Sequence, residues 1–390
     1  MTEKDISKDD VRLFMALVRK NLYWLALILI LFVALWYRMG IIESYIIPTY
    51  GNTMYHVGIE REAVETGFYP TTELSYGGGF PNFYVPAYRL LIASMSVATG
   101  IDPMIMSGLM TIVLALFILL AIYVLTYQLS KNKYVALFSA FFFVMSPELT
   151  IFTMRALPEL LGLFLIPLTI YFMMKKEWAF AIIGSIVTAL THQMTLATLV
   201  GIIGMYAVLQ LAWAGWLYYR SRKDTQVAYM DKLKYAIMCF VTAFMPCATY
   251  GLWQVYSLGT LSIFGIAQVV NKEGNVVDLP LFLRSGIFVL IFFAIGLASI
   301  LYGWWTSRTE KAKPAEASGY GFSLDTNAVL LILSWLIVTL VLMKNDLLGI
   351  HIFMDRFFTF FVIMAVIVAG YGMYAVLSAI DLDILKEKQE

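Results

Sequence analysis

The side chains best suited to acid–base chemistry lie in a long polar stretch, residues 43–102, of an otherwise apolar chain. His56 and Glu60 are four residues apart, so in a helix they share one face and could act as an acid/base or acceptor-binding pair. A solvated helix face explains the same spacing equally well. The spacing of apolar residues predicts that helix over 54–66, with Gly67 as its C-cap. Because ordering so long a segment costs entropy, such segments are usually functional, and we predict that this one roofs a site.

The chain has the composition of a membrane protein with several spans. Of its 390 residues, 61% are hydrophobic and only 14% are charged, and the mean hydropathy is +0.79. A soluble domain carries about 25% charged residues. The net charge of +1 comes without a basic patch, so no nucleic-acid partner is predicted. Cys239 and Cys247 fall in one apolar segment and indicate neither a disulfide framework nor a metal cluster.

An all-α fold of about ten transmembrane helices must position these residues, because each span needs about 20 apolar residues. The predicted spans lie near 21–39, 104–127, 133–147, 158–174, 177–190, 194–219, 235–255, 282–304, 326–343 and 357–379. Segment 83–99 is ambiguous, because it is apolar but carries Pro86 and Arg89. Whether it crosses the membrane decides the orientation of every later span.

The positive-inside rule favours segment 83–99 as a juxtamembrane or re-entrant element and not as a crossing. Both termini are then cytoplasmic, and 19 of the 27 Lys and Arg residues lie on the cytoplasmic side. A full crossing would place the basic loops 220–234 and 308–313 outside. The predicted outer side then collects all three histidines and several polar residues: His56, His192, His351, Asn52, Glu60, Glu148, Arg155, Glu159, Gln193, Asp355 and Arg356.

This topology divides the chain into a cytoplasmic head (1–20), a transmembrane domain (21–379) and a cytoplasmic tail (380–390). Within the transmembrane domain, 43–102 is the first outer loop with juxtamembrane helices, and 305–325 is a cytoplasmic loop. We therefore predict a multi-pass protein of the cell membrane. Because polar residues at membrane depth tend to mark function, its chemistry is expected on the outer face.

Several short motifs, taken together, resemble those of a known family of membrane enzymes. They are 50–56 (Tyr-Gly-Asn-Thr-Met-Tyr-His), 67–70, the Gly/Pro-rich segment 77–86, Pro147-Glu148 with Arg155 and Pro158-Glu159, and 354–358. In order, spacing and predicted sidedness they resemble the integral-membrane GT-C fold glycosyltransferases of archaeal or bacterial type. The resemblance implies transfer of a sugar from a polyprenyl-phosphate-linked donor to a glycan, lipid or protein acceptor on the outer face.

The resemblance also implies roles for residues in the outer loops. Arg356, beside Asp355, is expected to hold the lipid phosphate, because a guanidinium forks onto phosphate oxygens; an interfacial Arg that merely snorkels is the alternative. Further donor- or substrate-binding candidates are Arg155, Glu148, His192, Gln193 and Tyr84. A structural ion pair of Arg155 with Glu148 or Glu159, and a helix cap at His192-Gln193, are the corresponding alternatives. Arg89 is expected to anchor 83–99 at the lipid headgroups, and His351 to be a surface histidine.

One position departs from the family pattern. The family usually has Asp where this chain has Asn52, and an amide is neither a carboxylate base nor a good ligand for a divalent cation. Either Glu43 or Glu60 takes over, or the chain is a non-catalytic relative that binds lipid or a membrane-protein partner, or Asn52 is not the aligned residue. The catalytic candidates are therefore Asn52, Glu60, His56 and Glu43.

Cofactor use and protein class remain open at this point. The resemblance allows a divalent cation, Mg²⁺ or Mn²⁺, but no metal ligands are assigned, because no two of the three histidines have a ligand-like spacing. A lipid or solute transporter is a further alternative. The lack of internal repeats and the one-sided clustering of polar residues speak against it.

Overall fold

The computed structural model describes residues 8–44, 51–73, 79–82, 84–220, 226–259, 276–309 and 325–380, which are almost entirely helical. The helices are α1 (Lys8–Glu43), α2 (Asn52–Thr66), α3 (Ala87–Thr99), α4 (Pro103–Ser130), α5 (Lys133–Met145), α6 (Pro147–Thr153), α7 (Pro158–Met174), α8 (Trp178–Ala189), α9 (Gln193–Arg220), α10 (Gln226–Leu258), α11 (Leu279–Leu283), α12 (Ile287–Thr309), α13 (Thr326–Met343) and α14 (Met354–Ala379), with a 3₁₀ turn at Asn345–Leu348. Two short strands, β1 (Thr72–Glu73) and β2 (Phe80–Pro81), pair antiparallel. The predicted all-α class is confirmed.

Seven of the described helices are long and apolar enough to cross a membrane: α1, α4, α9, α10, α12, α13 and α14. The α5–α6 pair passes the same test but is bent by 70°. The shorter apolar helices α7 and α8 occupy the positions of the predicted fourth and fifth spans. Every predicted span thus corresponds to an apolar helix, and seven or eight of them qualify as spans by length and composition.

The bend between α5 and α6 follows from the sequence Ser146-Pro147. Proline lacks an N–H group and its ring clashes with the preceding turn, so α5 cannot continue through it. Pro147 is instead the first residue of α6, and the hydroxyl of Ser146 caps that helix by accepting a hydrogen bond from the N–H of Leu149 at 3.5 Å. The new helix direction brings Glu148 to the side of α14, where Thr359 donates a hydrogen bond to it.

The polar stretch 43–102 forms two helices outside the long spans. α2 begins at Asn52, two residues before the predicted start, and ends as predicted at Gly67, whose φ of 74° lets its N–H donate to the Ala63 carbonyl. α3 has 13 residues and is about 20 Å long, short of the roughly 30 Å of a bilayer core. Its length and its packing against α2 and α4 agree with the predicted juxtamembrane helix.

At the chain ends, the structure changes one predicted boundary and leaves others outside its range. α1 runs unbroken from Lys8, so the predicted head (1–20) and the first span share one helix. The predicted loop 305–325 and tail 380–390 lie mostly outside the described residues.

The packing core is built around α14, whose most apolar 18-residue window is 83% buried. α14 packs against α5, α12 and α13. Two glycines allow the backbones to approach: a Cβ added at Gly296 would lie 2.1 Å from the Val368 carbonyl oxygen, and one at Gly370 would lie 2.1 Å from Ser139 Oγ. Such close contacts stabilise membrane bundles, in which lipid removes the hydrophobic driving force between helices.

The bundle has two ends of different character. α4 and α7 both begin at the end that carries α2 and α3, which we name the loop end, and both finish near Lys131 and Lys176 at the opposite, basic end. The polar residues that the charge pattern predicts on one side, from Glu60 to Arg356, lie at the loop end. This separation agrees with the predicted topology. That the basic end is the cytoplasmic one stays a prediction.

Candidate functional site

A buried ion pair at the loop end joins α7 to α14. Arg356 Nη1 donates to Glu159 Oε1 at 2.6 Å, and the side chain of Glu159 is 1% exposed against 18% for Arg356. His192 Nε2 lies 3.5 Å from the same carboxylate oxygen and 3.0 Å from the Tyr84 hydroxyl. The N–H of Met194 donates to His192 Nδ1, so Nε2 carries the proton and faces Tyr84 and Glu159. Burial holds the pKa of His192 below its usual value, against the opposing effect of Glu159.

Local backbone structure explains why these side chains meet. Pro158 and Glu159 open α7, where proline suits the first turn and a carboxylate is favoured by the helix dipole. Before α14, Phe353 adopts the left-handed conformation (φ 39°), which turns the chain into the helix. Asn345 fixes that turn, because its amide side chain accepts from the Ile352 N–H at 2.9 Å and donates to the Ile352 carbonyl at 2.6 Å. Arg356 therefore projects from the first turn of α14 toward α7.

Arg89 connects the loop helices to this ion pair. Its Nε donates to His56 Nδ1 at 3.0 Å, and its Nη1 donates at 3.2 Å to both the Tyr69 hydroxyl and Asn82 Oδ1. The guanidinium also lies over the Tyr84 ring, 4.5 Å from its centroid. Arg89 is 1% exposed, so the predicted headgroup anchor is wrong: α3 turns this side chain toward α2 and not toward lipid. Burial, followed by the nearby charge of Arg89, holds the pKa of His56 well below its usual value.

Glu60 is fully buried on the same face of α2 as His56, but it has a different partner. Its Oε2 accepts a hydrogen bond from Ser107 Oγ of α4 at 2.9 Å. Burial raises the pKa of Glu60 to about 8, so its carboxyl is largely protonated at neutral pH. Burial, and then the charges of Glu60 and Glu159, raise the pKa of Tyr88, which is fully buried. The solvated helix face offered as an alternative for His56 and Glu60 is therefore wrong.

The remaining donor-site candidates lie around this cluster. Glu148 pairs with Arg284 at 2.7 Å and accepts from Thr359 at 2.9 Å, and the Arg155 guanidinium lies over the Phe152 ring. The carboxylates of Glu148 and Glu159 thus pair with Arg284 and Arg356, and the charge of Arg155 also acts on Glu148. Gln193 is the first residue of α9, Asp355 lies in the first turn of α14, and His351 is exposed as predicted.

The four catalytic candidates do not share one surface. Asn52, the first residue of α2, and Glu43, the last residue of α1, are exposed, whereas His56 and Glu60 are buried. What the structure brings together is Tyr84, His56, His192 and Arg356, through contacts that include Arg89 and Glu159.

The carboxylates of this region do not suit a divalent cation. The described residues contain no group of three or more His, Cys, Asp or Glu side chains that could hold a metal ion. Glu159 and Glu148 are each bound to an arginine, and the raised pKa of Glu60 favours its neutral form. A divalent cation prefers several ionised oxygen ligands that are not already neutralised. In this structure Glu60, Glu148 and Glu159 therefore do not form a set of free, ionised ligands for Mg²⁺ or Mn²⁺.

Two arginines in this region were not proposed as site residues from the sequence. Arg89 was assigned to the membrane surface, and Arg38 was counted only for topology. Arg38 is 1% exposed, and its Nε and Nη2 donate to Thr153 Oγ1 at 3.0 Å and 2.9 Å. The available signal was a charged residue inside an apolar segment, which is costly unless it is paired.

Comparison with known proteins identifies the fold. No protein-family model matches the chain, and no curated protein matches its sequence. Among solved structures, the Archaeoglobus fulgidus oligosaccharyltransferase tethered with an acceptor peptide containing the NVT sequon matches with a TM-score of 0.59 and 13% identity, over 94% of this chain and 51% of that chain. The archaeal oligosaccharyltransferase AglB from Archaeoglobus fulgidus, in complex with an inhibitory peptide and a dolichol-phosphate, matches with a TM-score of 0.58 and 12% identity, over 94% of this chain and 51% of that chain. The Archaeoglobus fulgidus oligosaccharyltransferase in complex with Zn and sulfate matches with a TM-score of 0.51 and 12% identity, over 84% of this chain and 45% of that chain.

The likeness extends over nearly all of this chain but only about half the length of the solved structures. At 12% to 13% identity it concerns the fold. The chain thus has the GT-C membrane fold that its motifs predicted.

Proposed function

We propose that this chain is a membrane glycosyltransferase that moves a sugar from a polyprenyl-phosphate-linked donor to an acceptor at the loop end. The observation that supports this most is the position of Arg356, which is partly exposed in the first turn of α14 and is held in place by the buried Glu159. A guanidinium fixed at a membrane surface suits the phosphate of a lipid-linked donor, since it offers five N–H donors. The dolichol-phosphate and acceptor peptide of the structural neighbours support a lipid-linked donor and make a peptide one acceptor class to test.

In the proposed reaction, an acceptor oxygen or nitrogen attacks the anomeric carbon of the sugar. The bond from that carbon to the phosphate oxygen breaks, and the polyprenyl phosphate leaves with the electron pair, which Arg356 stabilises. The acceptor proton passes to a base. Glu60 is the candidate base: with a pKa of about 8 its ionised form is the minor one at neutral pH, and that form takes the proton, so transfer should speed up as the pH rises toward 8.

A non-catalytic subunit that binds lipid phosphate is the second candidate. The observation that favours it is Asn52, an exposed amide at the position where the family usually carries Asp. Such a protein would retain the role of Arg356 without transferring sugar. In either case we propose a location in the cell membrane with both termini in the cytoplasm, consistent with the basic end.

The experiment separates binding from transfer in the full-length chain. Polyprenyl phosphate binding to detergent-purified protein is measured first, and Arg356→Gln is expected to raise Kd at least tenfold, the effect of losing a charge-assisted contact of about 1.5–3 kcal/mol. Arg61→Gln is the matched control, since Arg61 is exposed at the same end and pairs with Asp102 at 3.0 Å; its Kd should change less than twofold. Equal affinity of wild type and Arg356→Gln would refute the donor site.

Transfer is then measured with a panel of labelled polyprenyl-phosphate-linked hexoses and pentoses. Loss of the base should slow transfer about a hundredfold or more in Glu60→Gln while leaving polyprenyl phosphate binding unchanged. If wild type binds the lipid but transfers nothing, and Asn52→Asp does transfer, the non-catalytic alternative is correct. Unchanged transfer by Glu60→Gln would remove Glu60 from the mechanism.

A further inference from the structure

A cavity lies at the basic end of the bundle, away from the cluster described above. It has a volume of about 560 Å³, which is within the range of small-molecule sites. It is bounded by the last turns of α4 and α7, the beginning of α13 and the early part of α10. Because α4 and α7 begin at the loop end, this cavity and Arg356 lie at opposite ends of the same two helices. The proposed glycosyl transfer does not use it.

Positive charge dominates the lining. Lys131, Lys176 and Lys232 come from three different helices or helix ends, and Asp231 and Asp325 also line the cavity, so one net positive charge remains. Within the described part of the chain, none of the three lysines forms an ion pair with a carboxylate. Burial, and then the like charge of Lys175, lowers the pKa of Lys131. Cations that lie close together and are not neutralised by carboxylates favour an anionic ligand.

One wall of the cavity is a hydrogen-bonded network that holds its polar groups in place. Asn327 Oδ1 accepts from Lys232 Nζ at 2.7 Å and from Gln210 Nε2 at 2.9 Å, and its Nδ2 donates to Asp325 Oδ2 at 2.7 Å. An ammonium group has three donors, so Lys232 keeps hydrogen-bonding capacity beyond this contact. The network fixes Lys232 and Asp325 on one side, where a ligand can meet both a cation and a carboxylate.

The backbone at two other lining residues adopts an uncommon conformation. Lys131 and Lys176, at the ends of α4 and α7, have φ angles of 53° and 63°, in the left-handed region where glycine is the usual residue. Lysine is an unfavourable choice there on backbone grounds alone. Its presence at both helix ends, each on the same cavity, is explained if the two ammonium groups serve the cavity.

We propose that this cavity binds a phosphate ester that carries hydroxyl groups. Lys131, Lys176 and Lys232 supply point-charge contacts to the phosphate oxygens, as lysine does at many phosphate sites. Asp231 and Asp325 accept hydrogen bonds from the hydroxyl groups of the ester. The same chemistry is offered by the headgroup of a hydroxyl-bearing phospholipid and by a soluble polyol phosphate, and the test separates these two sources.

Two probes are applied to the full-length chain. Glycerol phosphate binding in detergent is measured by calorimetry, and lipid retention is measured by native mass spectrometry after reconstitution into phosphatidylcholine nanodiscs containing phosphatidylglycerol. Lys176→Gln and Lys232→Gln are each expected to weaken binding of the active probe fivefold or more. The neighbouring Lys234→Gln, which removes the same charge from a residue outside the lining, should change it less than twofold.

The outcomes distinguish the sources and can overturn the site. Binding of glycerol phosphate with this variant pattern identifies a soluble ester. Selective retention of phosphatidylglycerol with the same pattern, without glycerol phosphate binding, identifies a lipid headgroup. Binding of neither probe, or equal weakening by the control variant, refutes the proposal. Because Lys232 also contacts Asn327, Lys232→Arg keeps the charge and should retain binding, and unchanged polyprenyl phosphate binding in every variant separates this site from the one at Arg356.

Discussion

The Arg356–Glu159 pair makes an asymmetric prediction about stability. Both residues belong to one contact of 2.6 Å, but Glu159 is 1% exposed and Arg356 is 18% exposed. Replacing Arg356 by Gln leaves an ionised carboxylate in the interior, whereas replacing Glu159 by Gln leaves a guanidinium that reaches water. We therefore expect Arg356→Gln to lower the free energy of unfolding more than Glu159→Gln does.

The sizes follow from the surroundings of each group. Removing one partner of a buried ion pair costs about 3–5 kcal/mol, because the other charge stays buried. Glu159 keeps His192 Nε2 at 3.5 Å, so Arg356→Gln should fall at the lower end, about 3 kcal/mol. Glu159→Gln should cost about 1.5–2 kcal/mol, the value of one charge-assisted hydrogen bond. The double variant should cost at least about 1 kcal/mol less than the sum, because the two residues are in contact.

Equilibrium unfolding of detergent-solubilised protein measures these differences. Arg61→Gln is the control, because its pair with Asp102 is exposed on both sides (47% and 42%) and should be worth about 0–1 kcal/mol. The reasoning is refuted if Glu159→Gln destabilises the protein as much as Arg356→Gln, or if the two effects add.

Three further predictions concern the buried residues of the loop end and the core. Burial raises the pKa of Glu60 from 4.5 to about 8, so its contribution to stability is complete below about pH 4.5 and is lost as the pH rises toward 8. The free energy of unfolding should therefore fall between pH 5 and pH 9, and it should fall less in Glu60→Gln. An equal fall in the wild type and the variant would contradict this prediction. Arg89→Lys should lower the free energy of unfolding by about 2 kcal/mol or more, because an ammonium cannot reproduce three directed hydrogen bonds, while Arg61→Lys should change it little. Gly296→Ala should lower the free energy of unfolding by about 1–3 kcal/mol or more, because its Cβ would lie 2.1 Å from the Val368 carbonyl oxygen. Gly303→Ala on the same helix is the control, since its Cβ would meet nothing within 4 Å. Equal losses of stability in the two variants would argue against this packing.

The parts of the fold that follow from local chemistry were predictable from the sequence. Apolar periods located the helices, Gly67 marked the end of α2, and the asymmetry of Lys and Arg separated the polar loop end from the basic end. The distribution of Lys and Arg also indicated that α3 does not cross the membrane, although its composition is apolar. These signals are local or summed over many residues, so no knowledge of packing is needed to use them.

The partners of buried charges were not predictable in the same way. Glu159 was expected to pair, if at all, with Arg155, four residues before it, but its partner is Arg356, 197 residues away along the chain. Arg89 was placed at the headgroups because an arginine in an apolar helix usually faces an interface. Which face of α3 meets α2 depends on helix packing between the two, and neither the hydrophobic period nor the charge count contains that information.

The ion pair at the loop end limits how an anionic donor can approach. Glu159 is enclosed, so a phosphate cannot displace Arg356 from it by entering from that side. Arg356 contacts Glu159 through Nη1 and its side chain is 18% exposed, so in the proposed reaction the exposed part of the guanidinium meets the phosphate while the contact with Glu159 is kept. Glu159 is then a positioning residue for Arg356. In Glu159→Gln the arginine is held less firmly, so we expect the variant to bind polyprenyl phosphate more weakly than wild type, although it has lost one nearby negative charge. Tighter binding by Glu159→Gln would mean that the carboxylate competes with the donor, and that the closed pair is an obstacle to binding and not a support for it.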